Sequence, residues 1–94
     1  MNIIIMPRGA GKTFALIQMM KEEPNSMMVC ISMKEADRLR RLFPNIKSDR
    51  FVTYNEVSSG VLQGKPPNKL FCDNVDLFLQ WYLGRPVDTI TFDK

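Results

Sequence analysis

The sequence predicts a single α/β domain, a parallel sheet of about five strands flanked by helices. Three observations predict it. Short apolar runs of strand length end at Pro, Gly, Asn or Asp and alternate with helical segments, the pattern that lays helices over a parallel sheet through right-handed crossovers. A glycine-containing loop separates the first of these runs from the first helical segment. The chain of 94 residues, 45% hydrophobic and 24% charged, is enough for one core and leaves nothing for a second domain or a large lid, so residues 1–94 read as one unit.

Residues 2–6 are a continuous apolar run with three isoleucines, stopped by Pro7, as expected of a strand covered on both faces. Residues 7–11 make a loop. Lys12–Glu22 then reads as a helix that is apolar almost all round (Phe14, Ala15, Leu16, Ile17, Met19, Met20) and so largely buried, with Pro24 and Asn25 ending it. Residues 27–31 predict a second strand. Ser32-Met33-Lys34-Glu35 has the spacing of a capping box and opens a helix to about residue 43. Ala36, Leu39, Leu42 and Phe43 are expected inward on it, Arg38, Arg40 and Arg41 outward, and Pro44 closes it. Residues 51–54 predict a third strand, 56–62 a short helix, 64–68 a turn, and 70–72 with their neighbours a fourth strand ending at Asp73. A helix over Val75–Leu83, a turn at 84–86 and a fifth strand at 87–92 with alternating threonines complete the chain.

The strongest chemical signal is Met6-Pro7-Arg8-Gly9-Ala10-Gly11-Lys12-Thr13 between the first strand and the first helix. A glycine, four residues and Gly-Lys-Ser/Thr in that setting make a phosphate-binding loop. Gly9 and Gly11 let the backbone curl so that successive amides face an anion, and the following helix adds unpaired amides and the positive end of its dipole. Lys12 would reach the outer phosphates, the Thr13 hydroxyl would hold Mg²⁺, and Pro7, Arg8, Gly9, Ala10, Gly11 and Phe14 would complete the nucleotide contacts. Met6 stands where the pattern has its first glycine.

This segment resembles the first motif of P-loop NTPases of the helicase and terminase group, and Lys69-Leu70-Phe71-Cys72-Asp73-Asn74-Val75-Asp76 resembles their second, an apolar strand ending in Asp. The resemblance implies a stripped P-loop domain of the kind met among phage-encoded accessory ATPases. It would bind ATP, with GTP as the alternative, and take magnesium through Thr13 and Asp73, with Lys12 and Asp73 in the catalytic set. Asn74 occupies the place where these families carry the glutamate that polarises water, and an amide accepts no proton at neutral pH. Glu56 and Asp76 are the two acids able to stand in for it; each also reads as a first-turn helix acid. The sequence therefore points to a slow or partner-activated ATPase acting near nucleic acid, with a non-hydrolytic, nucleotide-dependent binding module as the alternative.

Thr89 and Thr91 read as a γ-phosphate sensor or as residues that favour strands, and Arg85 as an arginine finger or a surface arginine. Lys34, Arg38, Arg40, Arg41, Lys47 and Arg50 make a basic stretch that suits nucleic acid, although Glu35, Asp37 and Asp49 dilute it toward a solvated helix face. The helix Val75–Leu83 has only Asp76 and Gln80 as polar residues, which predicts an interface with a second copy or a protein partner through Phe78, Trp81 and Tyr82. Cys30 and Cys72 are expected to be buried free thiols. The first apolar run is too short for a signal-peptide core or a membrane span, so the expected place is the cytoplasm, a host's if the chain is viral. A net charge of +3 permits an acidic partner without demanding one.

Overall fold

A computed structural model describes residues 3–5, 11–64, 66–91 and 93. The order of elements is α1 (Lys12–Glu22), β1 (Ser26–Cys30), α2 (Met33–Leu42), a 3₁₀ turn (Ser48–Arg50), β2 (Phe51–Thr53), α3 (Tyr54–Ser58), β3 (Lys69–Cys72) and α4 (Val75–Leu83). The sheet has three strands, all parallel, in the order β2-β1-β3. Met28 of β1 sits level with Phe51 of β2 and Phe71 of β3, and Val29 with Val52 and Cys72. Side chains alternate across a strand, so Met28, Cys30, Phe51 and Phe71 share one face. On that face Ile17 and Met20 of α1, Ala36 and Leu39 of α2, and Ile46 complete the buried core. α3 lies against β2 and β1.

Local chemistry accounts for most boundaries. Ser32 caps α2 by accepting the Glu35 amide at 3.2 Å, while the Glu35 carboxylate takes Arg38 at 2.6 Å instead of closing a full capping box. The full box forms at α3: the Thr53 hydroxyl accepts the Glu56 amide at 3.1 Å and the Glu56 carboxylate accepts the Thr53 amide at 3.0 Å. This starts α3 at Tyr54, inside the predicted third strand and two residues before the predicted helix. α4 ends at Gly84, whose φ of 72° is the left-handed value that suits glycine.

Two predicted strands do not form among the described residues. Residues 3–5 carry no regular structure, Ile5 is 90% exposed, and residues 2 and 6 lie outside the described set. An apolar run becomes a strand only where a ladder receives its backbone, and these residues join none. Residues 87–91 also carry no regular structure; residues 87–90 line a groove with Asp76, Leu79 and Gln80 of α4. The sheet is thus α/β and parallel as expected, with three strands in place of five.

The arginines also differ from expectation. Arg50 donates to the carbonyls of Met20, Glu23 and Ser26 and to the Ser26 hydroxyl, at 2.8–3.0 Å. It thereby satisfies the orphan carbonyls at the end of α1 and favours the negative end of that helix. Arg40 ties Asp37 to the carbonyls of Ser48 and Phe51. Two members of the predicted basic stretch are therefore structural staples, and Arg38 is paired with Glu35. Leu42, Phe14 and Cys72 are exposed where burial was expected; Cys30 is buried, and both thiols are free. No described helix is long and apolar enough to cross a membrane.

Candidate functional site

Parallel strands bring all their carboxyl ends to one edge of the sheet, where the connections leave room for a ligand. Here that edge holds the end of β3, and Asp73 follows it directly. The Asp73 amide extends the ladder to the Val29 carbonyl at 3.0 Å, and its carbonyl accepts the Tyr54 hydroxyl at 2.7 Å. Its carboxylate Oδ2 accepts the Thr13 hydroxyl at 2.8 Å. The residue is only 3% exposed, its backbone fixed by two hydrogen bonds and its carboxylate by one.

Thr13 stands in the first turn of α1. Gly11 caps this helix in the left-handed region, φ 85° and ψ 23°, with no side chain on the first-turn amides and no acid in that turn. A side chain at Gly11 would meet open space, so the conformation and not crowding calls for glycine there. Among the described residues no side chain caps the end of α1 that carries Lys12 and Thr13, which offers first-turn N–H groups and positive potential, whereas α2 and α3 each close theirs with a hydroxyl. Lys12 is half-buried beside Thr13. Met6, Pro7, Arg8, Gly9 and Ala10 lie outside the described residues.

The field of Asp73 reaches its neighbours. Burial, and then the Asp73 charge, push the Cys30 thiol up to about 12. Burial together with the charges of Cys72 and Asp73 raises the Tyr54 hydroxyl, which stays protonated and able to donate to the Asp73 carbonyl. Among the described residues no three His, Cys, Asp or Glu side chains gather into a metal-sized cluster, so the donor set is one carboxylate and one hydroxyl.

The remaining candidates are apart from this pair or otherwise engaged. The Glu56 carboxylate is used in the α3 capping box. Asp76 is exposed in the first turn of α4 and faces the groove with residues 87–90. Asn74 sits at φ 54° and ψ 44°, the only described non-glycine residue with positive φ, and forms the turn from β3 into α4. Asn tolerates this conformation better than Glu, which supplies a backbone reason for the amide at this position. The Thr89 hydroxyl turns to its neighbour Asp88 at 2.8 Å, and Thr91 and Arg85 are exposed. Tyr54 is the site residue the sequence reading missed; its one signal was a polar-headed aromatic at a strand end.

Compared with known protein families, curated proteins and solved structures, the chain matches none of them.

Proposed function

We propose that this chain binds a nucleoside triphosphate, ATP in the first instance, with Mg²⁺ at the start of α1, as a small P-loop NTPase of phage accessory type. The carrying observation is the 2.8 Å hydrogen bond between Thr13 and Asp73, which joins two residues 60 positions apart that the sequence pattern nominates independently as magnesium ligands. A buried carboxylate beside a hydroxyl suits a hard cation that prefers oxygen donors and keeps several waters. The uncapped first turn of α1 and Lys12 are the groups available to the phosphates. Bound magnesium would neutralise phosphate charge beyond what amides and one lysine supply. Isothermal titration with a non-hydrolysable ATP analogue and Mg²⁺ should give binding that Lys12→Ala abolishes or severely weakens; undiminished affinity in that variant would sink the assignment.

Nucleotide occupancy rather than rapid turnover is the reading favoured by the surroundings of Asp73. Glu56 spends its carboxylate on a helix cap, and Asn74 offers no basicity, so no described acid is positioned to take a proton from water. Charge neutralisation from outside, such as an arginine supplied by a partner, is worth roughly 10³–10⁵ in rate in this class of reaction. Steady-state phosphate release from the isolated chain should fall well below the ~1–100 s⁻¹ of kinases, with or without single-stranded DNA. Fast release that disappears in Glu56→Gln would make Glu56 the base and overturn this reading.

A further inference from the structure

We propose that the groove between α3 and α4 is the seat of a nucleobase, that of the nucleotide whose phosphates lie at Thr13 and Asp73. The inference rests on the nucleotide reading above and extends it to a part of the molecule that no motif assigns. The groove has a volume of about 290 Å³ and is lined by Ile31, Ser32, Tyr54, Asn55, Phe78 and Trp81. Each belongs to a segment that follows the end of a strand: Ile31 and Ser32 follow β1, Tyr54 and Asn55 follow β2, and Phe78 and Trp81 lie on the helix after β3. It therefore lies at the same carboxyl edge of the sheet as Asp73.

Its lining suits a flat heteroaromatic ring. The Tyr54 and Phe78 rings are stacked, with centroids 4.3 Å apart and planes 15° apart, and present a ready aromatic surface. The Trp81 ring follows at 6.2 Å from Phe78, tilted by 35° and 66% exposed. An indole with that much free surface gains from any planar partner, since every base has a π-face and stacking needs no particular edge. The Ser32 hydroxyl and the Asn55 amide bring the hydrogen-bonding groups that the edge of a base requires.

Tyr54 joins the two halves of the site. Its ring belongs to the groove, and its hydroxyl donates to the carbonyl of Asp73, whose carboxylate holds Thr13. A base stacked in the groove and phosphates at α1 would thus lie on the two sides of one fixed side chain.

Trp81 is the only tryptophan in the chain, so its fluorescence reports the groove directly. The experiment titrates the full chain in Mg²⁺ with ATP, adenosine, tripolyphosphate and a thymidine oligonucleotide, reading fluorescence and heat together. ATP and adenosine should quench Trp81 and tripolyphosphate should not. Trp81→Ala should weaken ATP about tenfold, the scale of one lost stacking contact, leave tripolyphosphate unchanged, and be largely rescued in Trp81→Phe. ATP and tripolyphosphate binding equally well, with Trp81 silent, would overturn the groove and leave the phosphate site standing. Adenosine quenching without tripolyphosphate binding would uphold the groove and overturn the phosphate site. Quenching by the oligonucleotide alone would assign the groove to a nucleic-acid strand and overturn the proposal, and no binding by any probe would overturn both.

Discussion

The two strands that flank β1 have the same direction and nearly the same length, yet they live in different surroundings. All three residues of β2 are buried, with Phe51 fully enclosed by the core and its carbonyl held by Arg40. β3 is exposed at Lys69, Leu70 and Cys72, and Leu70 keeps 45% of its surface. The helix after β3 continues the contrast: Trp81 and Tyr82 are 66% and 70% exposed, and α4 has no fully buried residue. The β2 side is scaffold, while the β3 side carries Asp73 and the exposed apolar face of α4; the proposed site joins the two through Thr13 and Tyr54.

Urea unfolding can break that division. Phe51→Ala should cost about 3–5 kcal/mol, a large part of the total stability of a domain this small, because a cavity opens where no side chain can retreat. Arg50→Ala should follow at about 1.5–3 kcal/mol, since it removes charge-assisted hydrogen bonds to the carbonyls of Met20, Glu23 and Ser26. Trp81→Ala, on the open side, should stay within about 0.5 kcal/mol. Equal losses at Phe51 and Trp81 would mean that α4 belongs to the scaffold after all.

The contrast also marks what was legible in the sequence. α1 and α4 were read to the residue, because Gly11 and Gly84 punctuate them and their apolar content is high. β1 was displaced by one residue, and β2 lost Tyr54 to a helix because the Thr53–Glu56 cap was read only as a first-turn acid. The terminal strands failed for a different reason. Residues 3–5 and 87–91 have strand composition, but composition does not say whether a ladder will receive them. At the site, two motifs nominate Thr13 and Asp73 separately, and the structure brings their side chains to 2.8 Å. The Tyr54 clamp depends on a tertiary neighbour that no local pattern records, whereas the capping duty of Glu56 is written in the Thr53-x-x-Glu56 spacing.

A smaller effect sharpens the buried side near Asp73. The Cys30 thiol is raised from 9.0 to about 12, first by burial and then by the Asp73 charge. An acid whose folded pKa lies above its unfolded value favours folding in its neutral form. Its contribution is therefore fully present below pH 9.0 and is lost as the pH climbs toward about 12. Cys30→Ser should flatten the alkaline fall of stability between those limits while leaving the same comparison at pH 7 free of any ionisation effect. An alkaline limb unchanged in that variant would show that the Cys30 thiol is not raised on folding.

The central claim is that Thr13 and Asp73 form the magnesium end of a nucleotide site, and Asp73→Asn tests it most directly. The amide keeps the size of the carboxylate and an oxygen for the Thr13 hydroxyl, so the fold should persist while the charge that holds the cation is gone. Affinity for a non-hydrolysable ATP analogue is measured with Mg²⁺ and with EDTA, in the native chain and in the variant. The account predicts that Mg²⁺ strengthens binding at least about tenfold in the native chain and has almost no effect in Asp73→Asn. The same magnesium dependence in both, with the variant folded, would contradict it.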